Sequence, residues 1–403
     1  MPQKLDLILV ADSFLPKKTS AAIQLRDLCV ELKNQGHNIT VALPSFEIKN
    51  HWKLTKISGI KVLLLKCFRL HQNYIYRTLS EIFMPILMLK NYKKSIFTHK
   101  KWDGIIWYSP SIFHGLFINF LQKKSKSKTY LILRDIFPNW LNDIGLISKG
   151  IPYYFFLLVA RYQYSLANVI GVQSKGNLKF FNFISKYKKN TELEVLNNWL
   201  SYPQKPIKSK IKINKTKLSG RKIAIYIGNM GVAQDLEIFL RLAQKLNHRL
   251  DIGFLFVGRG DEKSKLINLS NHLQLNNTLF YNEVDNDELT DLLSQCHIGV
   301  VSLHHLHRTH NIPGKFLTYL QNGLPVIANI NKGNDLSKII KLNNVGMVCE
   351  SNDLEKLKKL FIQLLNKLDK KNRFKNNCKN LFREKYLVKK AVDQITSNFI
   401  NGY

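Results

Sequence analysis

Carboxylates are scarce in this chain: 28 Asp and Glu stand against 61 Lys and Arg, a formal charge of +33 over 403 residues. The excess is spread, +18 over residues 1–200 and +15 over the remainder. No nucleic-acid reader motif accompanies it, so nucleic acid is not an expected partner. The charge reads as a lysine-rich bias whose surface suits phosphate or anionic lipid. Cysteine is also rare. Cys29, Cys67, Cys296, Cys349 and Cys378 are odd in number and none pairs at metal or redox spacing, which fits a reducing cytoplasm. Long apolar runs are missing too. The nearest approach, Ile151 to Ala160, is far short of the roughly 18 residues a bilayer-spanning helix needs. No leader peptide is expected, because Met1-Pro2-Gln3-Lys4 leads straight into the strand pattern Leu5 to Val10.

What is present is an alternation. In the first half, apolar runs at Leu5–Val10, Ile39–Leu43, Ile60–Leu65, Gly104–Tyr108, Tyr130–Leu133 and Val169–Val172 are separated by helical patterns such as Ser20–Gln35. The alternation restarts at Lys222–Ile227 and runs through Ala233–Leu246 (helix), Ile252–Val257, Thr278–Tyr281, Ile298–Leu303 and Pro325–Ala328. After Val348 the pattern is almost all helical. Such βαβ alternation implies two doubly wound, mainly parallel sheets. The expected division is residues 1–200, a lysine-rich linker at 201–221, a second domain at 222–387, and a final helix at 388–403 crossing back to the first domain. Two such domains facing one another leave a central cleft at the C-terminal strand ends, where ligands bind.

The stretch Arg308–Ala328 organises the second half. Pro313-Gly314-Lys315 opens a helix after the strand ending at Leu303, and Gly323 stops it. A helix start offers free N–H groups and the positive end of its dipole to an anion, and Lys315 adds a full charge. An ordinary strand–loop–helix crossover remains the alternative. Gly228-Asn229-Met230-Gly231-Val232-Ala233-Gln234-Asp235 and Val257-Gly258-Arg259-Gly260-Asp261-Glu262 each follow a strand and open a helical pattern. Neither is GxGxxG, but together with the Pro-Gly-Lys start they give three phosphate-competent helix starts on one sheet. In the first half, Arg134-Asp135 ends a strand, as do Ser109-Pro110-Ser111 and Asp12-Ser13; these could line a ligand site or, for Arg134-Asp135, form a plain salt bridge. His304, His305, His307 and His310 crowd one loop, yet no carboxylate or cysteine accompanies them in sequence, so no metal is expected. Tyr74–Lys94 and Lys149–Tyr164 are apolar and aromatic with basic flanks. That suits either core helices or a membrane interface.

These blocks, in this order, resemble family 4 glycosyltransferases of the GT-B fold. The likeness is carried by Tyr108–Phe113, Tyr130–Trp140 (YLILRDIFPNW), Gly228–Asp235, Phe256–Glu262 and His310–Tyr319 (HNIPGKFLTY) with Pro325. More narrowly, the chain resembles bacterial O-antigen and capsule enzymes described as L-N-acetylfucosamine transferases. The resemblance implies a second domain that binds a nucleotide-sugar, UDP-linked, with the diphosphate against Ile312, Pro313, Gly314, Lys315, Gly228, Asn229, Gly231, Gln234 and Arg259. His310 and Asn311 would contact the sugar, Thr318 the ribose, and Arg134 and Asp135 the reacting centre. Asp12, Ser109 and Ser111 would stand on the acceptor side. It further implies a retaining, metal-independent and cofactor-free transfer to a polyprenyl-diphosphate-linked glycan at the inner face of the cytoplasmic membrane. The sugar would be an N-acetylated deoxyhexosamine such as L-N-acetylfucosamine. The sequence departs from the family's Glu-x7-Glu, since His310 and Thr318 occupy those positions, and neither is acidic. A GT-B nucleotide-sugar epimerase and a non-catalytic membrane-associated scaffold of the same pathway stay open as alternatives.

Overall fold

Short β-rich apolar runs between Gly- and Asn-rich loops become strands, and the amphipathic stretches between them become their crossover helices. The computed structural model describes residues 3–17, 19–68, 74–181, 191–203, 207–368 and 373–400, and it divides into two units. The first comprises Met1–Asn197 with Val388–Tyr403, the second Asn198–Leu387.

The first unit runs β1 (Asp6–Val10), α1 (Ser20–Asn34), β2 (Asn38–Ser45), β3 (Trp52–Ile57), β4 (Ile60–Lys66), α2 (Tyr74–Tyr92), β5 (Gly104–Tyr108) and α3 (Gly115–Ser125). It continues with β6 (Lys128–Leu133), α4 (Asn139–Asp143), α5 (Ile151–Ser165), β7 (Val169–Val172), α6 (Lys175–Leu178) and β8 (Glu192–Val195). The sheet order is β3-β4-β2-β1-β5-β6-β7-β8. Every pairing is parallel except the β3–β4 hairpin at the edge. Sequence reading does not find β3, because Lys53, Thr55 and Lys56 dilute its apolar pattern; its turn, Ser58-Gly59, has both residues at positive φ, the geometry a tight hairpin needs. Alternate strand residues such as Ile8, Val10, Ile105, Trp107 and Leu131 pack one core with Met84, Met88, Phe117, Leu121 and Ala160 from α2, α3 and α5.

The second unit runs β9 (Lys222–Ile227), α7 (Glu237–Lys245), β10 (Ile252–Val257), α8 (Lys263–His272), β11 (Thr278–Tyr281), α9 (Leu289–Ser294) and β12 (Ile298–Ser302). It continues with α10 (Gly314–Asn322), β13 (Val326–Asn329), α11 (Asp335–Leu342), β14 (Gly346–Cys349), α12 (Leu354–Leu368) and α13 (Arg373–Lys385). All six strands are parallel, in the order β11-β10-β9-β12-β13-β14. The stretch 201–221, expected as a linker, belongs to this unit. Ile211, Ile213 and Leu218 are buried in its core, and the Ile213 N–H is bound by Gln295 Oε1 at 3.0 Å. The isolated apolar residues of that lysine-rich run are what dock it. The helix expected over Ala233–Leu246 starts later, at Glu237, because a short 3₁₀ turn at Val232–Gln234 and a left-handed Asp235 (φ 44°) come first.

The last helix, α14 (Val388–Ile400), lies with the first unit against α1. Its Phe399 fits over Gly104, where an added Cβ would stand 2.8 Å from the Phe399 ring and from Leu7. Among the described residues, no helix is long and apolar enough to cross a membrane.

Candidate functional site

In the second unit, the loops after β9, β10 and β12 meet the start of α10. Pro313 caps α10 in an extended conformation (φ −65°, ψ 143°), and Gly323 ends it at φ 76°, the left-handed conformation glycine adopts without a Cβ penalty. Tyr319, fully buried, ties this helix to β9. Its hydroxyl accepts from the Ile227 N–H at 3.0 Å and donates to the Ile225 carbonyl at 2.9 Å. The next inward turn carries Lys315. Its Nζ donates to Tyr226 Oη at 2.6 Å and stands 4.0 Å from that ring's centroid. The Tyr226 hydroxyl in turn donates to the Asn229 carbonyl. A hydrogen-bonded chain therefore joins the Pro-Gly-Lys helix to the glycine loop. Burial pushes the Lys315 ammonium down to about 7, the direction expected for a cation taken out of water.

The glycine loop is shaped by close backbone contact. Gly228 has φ 107°, and a Cβ there would lie 3.6 Å from Lys315 Cε. Gln234 Oε1 accepts from the Gly231 N–H and from Asn229 Nδ2, both at 3.0 Å. The loop after β10 interlocks with it: Gly228 N–H donates to the Val257 carbonyl at 2.9 Å and Met230 N–H to the Arg259 carbonyl at 2.7 Å. Of the three expected helix starts, only α10 begins directly at its glycine loop. Arg259 is exposed and its Nε pairs with Glu283 at 3.1 Å, a surface ion pair worth at most about 1 kcal/mol and easily exchanged for another anion. The Thr318 hydroxyl donates back to the Gly314 carbonyl at 3.3 Å. Ile312 is buried, with its carbonyl bound by Asn198 Nδ2 at 2.6 Å, and Asn311 is half-buried beside it.

His310 is buried and held from α11. The Asp335 N–H donates to His310 Nδ1 at 3.2 Å, and the Asp335 carboxylate lies 3.5 Å from the same nitrogen. An Nδ1 that accepts leaves the ring proton on Nε2. Asp335 was missed in the sequence because it sits 25 residues on, at the start of another helix. The loop is further pinned by Asn331, which donates to the Thr309 carbonyl at 3.3 Å, and by Asn334, which donates to Asn331 at 2.9 Å and caps α11.

The histidine loop also has the carboxylate that the sequence alone does not place beside it. Asp235, His304 and His305 bring ligand-capable atoms within 4.8 Å of one another. Their arrangement is that of a hydrogen-bonded stack. The His304 and His305 rings lie 4.8 Å apart at 15°, so their in-plane lone pairs run side by side rather than converge. His304 Nδ1 accepts from the Leu306 N–H, and His305 Nδ1 lies 3.2 Å from Asn352 Nδ2. His307 is buried nearby, its ring pushed down to about 4 by desolvation.

In the first unit, the polar residues gather where β1, β5 and β6 end. Arg134 is 4% exposed and turned inward: Nη1 donates to the Leu196 carbonyl at 2.8 Å, and Gln173 Nε2 donates to the Arg134 backbone carbonyl. Burial lowers it to about 10, opposed by the neighbouring Tyr108, Tyr130 and Asp135. Asp135 is raised by burial and pulled back by Arg134. Asp12 is half-buried, and its carbonyl accepts from Lys17 Nζ at 2.9 Å. Ser109 is fully buried and its Oγ has no hydrogen-bond partner among the described residues; Ser111 Oγ accepts from the Phe113 N–H at 3.4 Å. One residue here was not singled out from sequence. His114, at the start of α3, is fully buried, neither ring nitrogen is bonded among the described residues, and it feels the Asp12 charge. Its place five residues after Ser109, beyond a strand's C-terminal end, is the signal that could have found it.

With these sites in view, the likenesses to known proteins are informative. The profile of the glycosyl transferases group 1 family matches residues 208–381. The chain is 23% identical over 244 residues to a Pseudomonas aeruginosa protein named probable glycosyltransferase WbjE, covering 59% of this chain and 60% of that one. It is 26% identical over 226 residues to Escherichia coli (strain K12) WcaI, which bears the name of a colanic acid biosynthesis glycosyl transferase, covering 54% and 53%. The chain thus spans little more than half the length of these curated relatives. Among solved structures, Anabaena Alr3699/HepE in complex with UDP and glucose superposes at a TM-score of 0.70 with 13% identity, over 99% of this chain and 100% of that one. Residues 208–381 match the model of the glycosyl transferases group 1 family, in a chain of GT-B fold with two α/β units, the first built on a mixed sheet and the second on a parallel one.

Proposed function

We propose that the protein is a retaining, metal-independent glycosyltransferase of O-antigen or capsule assembly. In this reading it moves an N-acetylated deoxyhexosamine, such as L-N-acetylfucosamine, from a UDP-sugar to a polyprenyl-diphosphate-linked glycan at the inner face of the cytoplasmic membrane. The observation that carries the donor half is Lys315, seated on Tyr226 and against Gly228 at the first turn of α10. A desolvated cation beside free helix-start amides is a binding site for a diphosphate, and it stabilises that diphosphate as it leaves. The charge is met by protein groups, which is the reason for assigning no metal. Arg259 and the glycine loop 228–231 complete the phosphate side, and His310 and Asn311 the sugar side. The first unit takes the acceptor, with Asp12, Ser109, Ser111, Arg134 and Asp135 grouped at its strand ends. A relative named for colanic acid biosynthesis and a fold neighbour solved with UDP and glucose support the choice of pathway and donor.

A thermal-shift series over nucleotides and nucleotide sugars tests this reading. A ligand at 100 times its dissociation constant adds about 2.7 kcal/mol to stability, so UDP should raise Tm and one UDP-sugar should raise it further. No shift with any nucleotide refutes the reading. Epimerisation of the donor in the absence of acceptor would make the chain an epimerase. The stereochemistry of the product, read by proton NMR, tests retention.

The lowered Lys315 value gives a second expectation. In the free protein the amine is largely neutral above pH 7, while a bound diphosphate favours its charged form. UDP-sugar binding should therefore take up a proton above about pH 7, and affinity should fall as pH rises further. Calorimetry in buffers of different ionisation enthalpy measures the uptake. Equal apparent enthalpy in all buffers would remove Lys315 from the diphosphate site.

A further inference from the structure

The helices on the two faces of the first unit's sheet are finished differently. On one face, α1 and α14 expose no large apolar side chain. On the other, α2, α3 and α5 each bury one side against the sheet and present apolar groups on the other side. Phe83 and Ile86 on α2, Leu116 on α3, and Ile151, Tyr154 and Leu158 on α5 are all exposed, Ile151 at 88% and Leu158 at 71%. On α5 the stripe recurs at i, i+3 and i+7, the spacing of one helix face. The opposite side of α5 packs Tyr153, Ala160 and Tyr164 inward. A helix apolar on both sides has a second apolar environment to meet.

The charge of this layer selects that environment. The three helices contain one carboxylate, Glu81, against five Lys and Arg. Their ends bring more cations together: Lys93 from the end of α2 and Lys124 from α3 stand 5.4 and 5.9 Å from the Phe120 ring. Lys149 precedes α5 and is exposed. Apolar side chains flanked by lysines, with aromatic rings among them, match an anionic lipid surface, where the rings and stems enter the interface and the ammonium groups meet the headgroups.

We infer that the outer face of α2, α3 and α5 is the surface by which this protein docks on an anionic lipid bilayer. The inference rests on the transferase reading for the identity of the membrane, since a lipid-linked acceptor places the enzyme there, and on the apolar layer for everything else. The docking inferred is peripheral; none of the described helices is both long and apolar enough to cross a membrane.

The test is co-sedimentation of the full chain with vesicles of phosphatidylcholine alone and of phosphatidylcholine mixed with phosphatidylglycerol. Wild type is expected to pellet with the anionic vesicles, less so as salt rises. Ile151→Ser combined with Leu158→Ser should weaken that binding about tenfold or more, while Leu250→Ser, an equally exposed change in the second unit, should leave it unaltered. Circular dichroism and the UDP thermal shift keep the outcomes apart. A double variant that is folded and binds UDP but has lost the vesicles supports the inference. Wild type that binds UDP yet ignores anionic vesicles overturns it and leaves the transferase reading standing. So does a double variant that binds vesicles as wild type does, or a wild-type dimer in solution that this variant dissociates.

Discussion

Lys315→Ala is expected to weaken UDP-sugar binding by about a hundredfold, near 3 kcal/mol, and to leave the first unit untouched. The size follows from where the cation sits. Lys315 is half-buried, with its Nζ bound at 2.6 Å to Tyr226 and within reach of the Gly228 backbone. A charge-assisted contact in such a setting costs about 2–5 kcal/mol when one partner is removed, because the other is left buried and unpaired. Lys315→Met sharpens the test by separating function from stability. The folded value of about 7 lies below the ordinary lysine value, so between those two values the unfolded chain binds the extra proton and stability rises with pH. The charged form is thus a cost to the ligand-free fold. Lys315→Met should keep or raise Tm near pH 7, flatten its rise toward pH 10, and weaken donor binding about a hundredfold, as Lys315→Ala does. Calorimetry showing equal UDP-sugar affinity in variant and parent would sink the assignment.

The pattern-bearing parts of the molecule were legible in the sequence for a physical reason. A buried parallel strand must be apolar on both faces, so Lys222–Ile227 and Ile252–Val257 announce themselves, and a helix that begins at Pro-Gly and ends at Gly323 is marked at both ends. Edge and docking elements lack such constraints. Strand β3 is an edge strand with no buried residue, so lysines interrupt its apolar pattern on both faces, and the 201–221 run hides three core residues among lysines. The site was legible only where its residues are local. Lys315 follows its glycine directly, and the Gly228 loop follows its strand. Its supports come from afar: Tyr226 lies 89 residues before Lys315, Asp335 lies 25 after His310, and Asp235 reaches His305 from another loop. No periodicity encodes those meetings; they follow from the order in which the strands pair. Arg134 shows the converse. Its motif is conspicuous in sequence, yet its guanidinium is turned to the Leu196 carbonyl, so a conspicuous cation at a strand end can be a bracket for the backbone.

Gly258→Ala should be the more damaging change, since it acts on the scaffold that holds the phosphate loop. A Cβ at 258 would lie 1.9 Å from the Gly228 carbonyl oxygen and 2.8 Å from its carbon. Both are backbone atoms, so no rotamer change relieves the contact. To make room, the loop after β9 must withdraw from the loop after β10. That breaks Gly228 N–H to Val257 at 2.9 Å and strains Met230 N–H to Arg259 at 2.7 Å. It also draws Asn229 away from the Tyr226 hydroxyl that accepts from Lys315. Overpacking that cannot be absorbed by side chains costs about 3 kcal/mol or more, and each buried amide left unpaired adds about 1–3. The expected result is a clear fall in the Tm of the second unit together with loss of UDP-sugar binding, whereas Lys315→Met weakens binding about a hundredfold with Tm retained. The pair of variants therefore separates the group that meets the diphosphate from the backbone that positions it. A Gly258→Ala protein with parental Tm and parental donor affinity would mean that the two loops do not close on one another, and the donor site as drawn around Gly228 would have to be abandoned.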